Sequence, residues 1–347
     1  MLFDTERNMA EKDFTVQGST AAKMTTTEFL LHTATGSEDL SFVSSRGVGP
    51  LNVYFHCAVV VIGIVGTTAN ALVLYALVAS KQHKKHVLIV NINALDLFSC
   101  LFLILSYTVK LSSSSIRLTG TLGYWLCTTI LSDTFVWWGI TGSRFGLTAI
   151  TLDRYLSVVH SAWSKKWLRK WMLCLAVASS WGVSLIYSFT VIFSSTAVVD
   201  GVCYTVAVWD NVVQKTILGI CTFVLLDIST LLIIVFCYGR ILVVIRRQTR
   251  AMAGHGSFTA QIPSHRMQTN VVKTMILVSA LFVVTNFPVD IYFLLWNVNI
   301  TLVELGGDYY SVLFIVFLYS CSNPFIYAVK FDPVKSALLS LILCRRS

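Results

Sequence analysis

The chain has 347 residues, of which 55% are hydrophobic and only 12% charged. That balance excludes an ordinary soluble domain, in which about a quarter of residues are charged. The formal net charge of +9 would suit a nucleic-acid binder, but the basic residues sit in short loops between apolar runs, so we read it as an orientation signal.

Residues 1–52 are polar and rich in Ser, Thr and Gly, with seven acids against four bases. No segment there is apolar enough for a secretory signal, and the stretch reads as a disordered extracellular tail. Apolar runs follow near 54–79, 87–109, 124–152, 171–193, 213–245, 270–296 and 309–329. Each exceeds the roughly 20 residues needed to cross a bilayer core. Seven such runs predict an all-α membrane protein, a seven-transmembrane helix bundle over residues 53–330.

Basic residues orient it. Lys81, Lys84 and Lys85 follow the first run, and Lys165, Lys166, Arg169 and Lys170 follow the third. Arg246, Arg247, Arg250 and Arg266 follow the fifth, and Lys330, Lys335, Arg345 and Arg346 follow the seventh. The alternate loops hold little beyond Lys110, Arg117 and Lys215 at their edges. By the positive-inside rule the N-terminus is extracellular and the C-terminus cytoplasmic. Residues 331–347 predict a short amphipathic eighth helix (DPVKSALLSLIL) and tail, where Cys344 beside two arginines is a palmitoylation candidate. The one glycosylation sequon starts at Asn299, in the third outer loop.

Nine cysteines show no metal spacing. Cys127 and Cys203 both face the oxidising side, where a disulfide is expected. Around Cys203 the segment VVDGVCYTVAV places Asp200-Gly201 between β-branched residues, which predicts a hairpin.

Charges inside the runs need partners, because a lipid-facing charge costs a few kcal/mol even on lenient scales. Asp153-Arg154-Tyr155 sits at the inner end of run three. Higher up, Asp133, Trp137, Ile140 and Arg144 recur at helical spacing on one face. Asp227 in run five and Asp290 in run six are the available acids. Arg144 is expected to pair with Asp227, with Asp290 as second choice, at the floor of a ligand pocket.

The chain resembles the rhodopsin-like (class A) G-protein-coupled receptors over residues 54–343. Span one carries GTTAN with Asn70, span two NALDL with Asp96, and span three Cys127, Ser143 and Asp153-Arg154-Tyr155. Span four carries Trp181, span five Tyr238, and span six Phe282 and Pro288. Span seven carries Asn323-Pro324-Phe325-Ile326-Tyr327. The resemblance implies a disulfide between Cys127 and Cys203, and a sodium cluster of Asp96, Ser143, Asn70, Ser320 and Asn323. It also implies an activation set of Asp153, Arg154, Tyr155, Tyr238, Phe282, Pro288, Asn323, Pro324 and Tyr327. The partner is then a heterotrimeric G protein, with arrestin as a further one, and no cofactor is expected beyond an allosteric sodium ion.

Several positions depart from that family. Cys127 and Arg154 are 27 residues apart, two more than usual. Asn286 replaces the usual tryptophan of span six, Thr230 the proline of span five, and Ser161 a common proline in the second inner loop. Met267-Gln268 stands where some members place an acid. Val136 holds the place of the aminergic aspartate, which disfavours a monoamine there. No lysine lies between Asp308 and Val329, so a retinal Schiff base is excluded. The hairpin, and the look of FPVDIYFLLWNV and CSNPFIYAVKF, resemble peptide receptors, invertebrate ones among them. The predicted ligand is therefore an extracellular peptide at Asp133, Val136, Trp137, Ile140, Arg144, Asp227, Asn286 and Asp290. A small amine, lipid or chemosensory ligand is the alternative. A hydrolase would need metal ligands in the spans, where His56 is the single histidine, and a transporter would show repeated halves.

Overall fold

The computed structural model describes residues 50–112, 117–160, 170–205, 212–254, 262–298 and 307–342. The N-terminal tail before residue 50, Ser161, the sequon at Asn299 and Cys344 lie outside them. Span one is a helix over Pro50–Ala79 and span two over Val87–Ser112. Span three is built of three pieces: a helix Gly120–Leu126, a π-helical turn Cys127–Leu131, and a long helix Thr134–Val159. Span four is Lys170–Ser195. The hairpin follows as strands β1 (Ala197–Val199) and β2 (Val202–Tyr204), antiparallel, with Val198 opposite Cys203 and Asp200-Gly201 at the tip.

Span five runs through Val212–Thr222, a π-helical stretch Phe223–Ile228, and Ser229–Gly254. Span six is Ile262–Asn297 and span seven Gly307–Lys330. At about 1.5 Å per residue, the 36 residues of span six reach well beyond a bilayer core. The predicted eighth helix forms over Asp332–Ile342, with Val334 and Ala337 buried and Lys335 exposed.

Six of these helices are long and apolar enough to cross a membrane, and span three is not among them. Its length suffices, but Arg144, Thr141 and Ser143 interrupt the apolar run. It is the polar centre of the bundle. Leu72, Ile186, Leu225, Phe236 and Val284 stay exposed around the outside, as a lipid-facing surface requires. Lipid is as apolar as these side chains, so close packing and polar contacts hold the helices together. Span three supplies glycines for that. A methyl on Gly139 would lie 2.6 Å from Ser99 Oγ and 2.9 Å from the Leu95 carbonyl oxygen. One on Gly142 would lie 2.9 Å from the Ser180 carbonyl oxygen, so spans two and four both press on span three.

The two surplus residues before Arg154 are absorbed where span three breaks. Ser132 N–H reaches back five residues to the Cys127 carbonyl (3.0 Å), and Asp133 takes a left-handed conformation with φ +58°. Aspartate tolerates that region better than most residues. The Thr128 carbonyl freed there accepts from Ser132 Oγ (2.6 Å) and from Thr134 Oγ1. The freed Thr128 carbonyl is therefore satisfied locally.

Both prolines lie inside continuous helices. A proline removes one backbone donor and leaves the carbonyl four residues earlier without its partner. For Pro324 that carbonyl is Ser320, and Asn70 Nδ2 donates to it at 2.9 Å. An asparagine of span one thus closes the gap that the proline opens in span seven.

Candidate functional site

Polar groups converge at three levels between the hairpin end of the bundle and the Asp153 end. At the hairpin end, Cys127 and Cys203 form a disulfide with a Cα–Cα distance of 5.5 Å. The hairpin tip is held by Leu118 N–H donating to the Gly201 carbonyl (3.0 Å). Behind the hairpin a cavity of ≈ 140 Å³ extends between spans three, four, five and six. Trp137, Ile140, Tyr187 and Phe293 form much of its wall, and Arg144, Asp227 and Asp290 its charged groups.

Arg144 bridges the two acids. Its Nη1 meets Asp227 Oδ1, and its Nη2 lies 3.0 Å from each oxygen of Asp290. The expected pair with Asp227 forms, and Asp290, the second choice, joins it to make a three-member cluster. The π stretch of span five carries Asp227 at a buried position facing Arg144, and Asp290 lies two residues beyond Pro288 on span six. The Arg144 guanidinium also lies 5.4 Å over the Phe282 ring, which meets Tyr319 of span seven edge-on at 5.3 Å.

Three expected pocket residues lie elsewhere. Asp133 precedes the helix that begins at Thr134 and turns to span two, where Lys110 Nζ lies 2.5 Å and Tyr107 OH 3.4 Å from its Oδ2. The left-handed residue breaks the periodicity that had put Asp133 in line with Arg144. Val136 is fully buried in an apolar cluster with Leu103 and Phe317, and its carbonyl accepts from Ser99 Oγ (2.8 Å). Asn286 is buried, its Nδ2 donating to the Phe282 carbonyl (3.0 Å) and to Thr285 Oγ1 (3.1 Å) inside span six, while its Oδ1 has no hydrogen-bond partner.

At mid-depth, Asp96 is wholly buried. Ser143 Oγ donates to its Oδ1 (2.5 Å) and Asn323 Nδ2 to its Oδ2 (2.8 Å). Asn70 Oδ1 and Ser320 Oγ are also buried without a hydrogen-bond partner, and Asn70 bonds the Ser320 carbonyl. The five residues of the expected cluster, Asp96 included, come from spans one, two, three and seven.

At the far end, Arg154 Nη2 lies 2.8 Å from Asp153 Oδ2, and the arginine side chain is 33% exposed. Tyr155 OH and His160 Nε2 are 3.3 Å apart. Tyr238 OH accepts from Thr151 Oγ1 (3.3 Å) and Ser279 Oγ (3.4 Å), tying spans three, five and six together. Tyr327 is fully buried against Phe331. His86, in the turn before span two, meets Phe331 edge-on at 5.1 Å. Burial, and then the positive charges of Arg154 and Lys85, hold its imidazole below the usual histidine value.

Sequence reasoning missed two groups. Trp181 Nε1 donates to Asn91 Oδ1 and Asn91 Nδ2 to Ser180 Oγ, both at 2.9 Å, which fastens span four to span two. Asn91 was visible as a polar residue in an apolar run, five positions before Asp96. Tyr107 and Lys110, the partners of Asp133, and Tyr187 in the cavity wall left no comparable signal.

The model of the 7 transmembrane receptor (rhodopsin family) matches residues 69–327, most of the chain. Among known proteins, the chain is 26% identical to the somatostatin receptor type 5 of Bos taurus, over 81% of this chain and 74% of that one. It is 25% identical to galanin receptor 2b of Danio rerio, over 86% and 78%. To galanin receptor type 1 of Rattus norvegicus it is 24% identical, over 86% and 85%. The match covers most of a chain whose spans carry the family's motifs in order: the chain belongs to the rhodopsin family of seven-transmembrane receptors.

Proposed function

We propose that the protein is a plasma-membrane receptor that binds an extracellular peptide and activates a heterotrimeric G protein. The observation that carries this reading is the cavity behind the hairpin, whose charged floor joins spans three, five and six at Phe282. The relatives named for somatostatin and galanin favour a peptide. The loop charges put the hairpin outside and Arg154 in the cytoplasm. In this reading ligand contact with span six above Pro288 swings its inner half outward and uncovers Arg154 for the G protein. The protein carries a signal and catalyses no reaction. Arrestin is a further partner, for which Thr249, Ser257 and Thr259 of the third inner loop supply hydroxyls.

Arg154→Ala tests the coupling end. It should abolish or sharply reduce nucleotide exchange on G protein in membranes challenged with a peptide library, while surface expression stays near normal. Arg154 is partly exposed, and its ion pair is with the adjacent Asp153. Full signalling by the variant would remove residues 153–155 from the mechanism.

The Asp96 cluster fits a sodium ion. A hard cation takes oxygen ligands, and the buried carboxylate, with the unpartnered Asn70 Oδ1 and Ser320 Oγ, offers them. Asp96 and Ser143, with Asn70, Ser320 and Asn323, would hold the ion, whose charge would offset that of the carboxylate. Affinity for an activating peptide should then fall as sodium replaces a bulky organic cation at constant ionic strength. Asp96→Asn should erase that dependence. A sodium response unchanged in the variant would make the cluster purely structural.

A further inference from the structure

The cavity floor is one positive charge short. Among the described residues, Arg144, Asp227 and Asp290 are the only charged ones lining the cavity, and together they carry a formal charge of −1. Neither end nitrogen of Arg144 is free to take an anion, because Nη1 is engaged by Asp227 and Nη2 by Asp290. The acids are not equivalent. The Asp227 side chain is 5% exposed and that of Asp290 14%, so Asp290 keeps an approachable face. Two further groups line the same cavity with nothing to bond. Ser188 Oγ and Thr196 Oγ1 belong to residues 2% and 8% exposed, and both lack a hydrogen-bond partner. An ammonium has three donors and a guanidinium five, and neither has an acceptor. A carboxylate with two spare hydroxyl oxygens matches such a group. Trp137, Ile140 and Phe293 add an apolar and aromatic wall suited to the stem that carries it. Lys215, the nearest cation at the hairpin end of span five, lies 4.6 Å over the Trp296 ring and is not part of the cavity wall.

We propose that this cavity takes a cationic group, a protonated amine or guanidinium on an alkyl or arylalkyl stem, which pairs with Asp290 and completes the charge balance that Arg144 leaves one short. The proposal rests on the reading of the cavity as the ligand site, and it names the ligand chemistry: a basic side chain or free amino group. It also gives Arg144 a role in transmission. A second cation on Asp290 competes for the carboxylate that Arg144 holds, and Arg144 lies against Phe282 of span six.

Three isosteric probes test it on the purified full-length protein at constant ionic strength: 4-phenylbutylamine, 4-phenylbutan-1-ol and 4-phenylbutyrate. The amine is expected to raise the thermal unfolding midpoint, and the alcohol and the carboxylate to leave it in place. Asp290→Asn should lose the amine response, and it still folds because Arg144 keeps Asp227 as a single counter-ion. Asp290→Glu, which keeps the charge, should retain the response. Equal shifts from amine and alcohol, an amine shift that survives Asp290→Asn, or no amine shift up to the solubility limit would each overturn the proposal. No peptide or G protein enters this experiment, so its failure leaves the peptide-receptor reading standing. A failed peptide screen would likewise leave the cation site standing.

Discussion

Arg144→Leu is expected to reduce surface expression more than any other single substitution in the cavity. The arginine is 9% exposed at its side chain and stands between two carboxylates that are nearly as buried. Removing it leaves two like charges facing each other without a cation. Breaking one buried pair by deleting a partner costs about 3–5 kcal/mol, against a typical total stability of roughly 5–15 kcal/mol. The acids behave differently. Asp227→Asn leaves Arg144 on both oxygens of Asp290, and Asp290→Asn leaves it on Asp227, so each should be mild. The double variant Arg144→Leu/Asp227→Leu should recover only in part, because Asp290 stays charged and alone. The triple variant with Asp290→Leu should recover expression fully, though not signalling. Flow cytometry of tagged protein and thermal half-life in detergent read all of these. Near-normal expression of Arg144→Leu would mean that water already solvates the two acids.

The second large effect is loss of the disulfide. Cys127 and Cys203 are 76 residues apart in sequence, and closing a loop of that size removes about 4 kcal/mol worth of unfolded-state entropy in the chain-entropy model. The bond also ties the hairpin to the π-helical turn that precedes the break in span three. Cys127→Ser and Cys203→Ser should each lower surface expression strongly, and the double variant should be no worse than either single one. Additive losses would mean that each cysteine contributes separately.

Much of this architecture was legible in the sequence because lipid imposes a simple rule. A helix that crosses a bilayer needs an uninterrupted apolar run, and six spans announce themselves in that way. Span three was read in the same way from its run at 124–152, although its charges keep its helix out of the six that are apolar enough by composition. The surplus of two residues in that span was countable, but its structural form was not. A π turn and a left-handed aspartate depend on which carbonyls Ser132 and Thr134 can satisfy. That break is what displaced Asp133 from the pocket. Val136 and Asn286 were misplaced for a related reason: a helical face read from spacing does not say which neighbour covers it. Arg144 was recognisable as a cation needing acids, but spacing along one helix cannot say that two helices each bring one. Cross-span contacts such as Lys110 with Asp133 come from packing, and no periodicity encodes them.

The central claim is that the cavity and Arg154 are connected through movement of span six. Distance measurement by electron spin resonance tests it directly, between nitroxide labels at His160→Cys and Lys273→Cys, both exposed near the Arg154 end. The background protein would have Cys57, Cys174 and Cys221, exposed among the described residues, and Cys344 of the tail replaced by serine. Adding nucleotide-free heterotrimeric G protein should shift the distance distribution to longer values, and Arg154→Ala should prevent the shift. A distribution that stays unchanged with G protein bound would contradict the account.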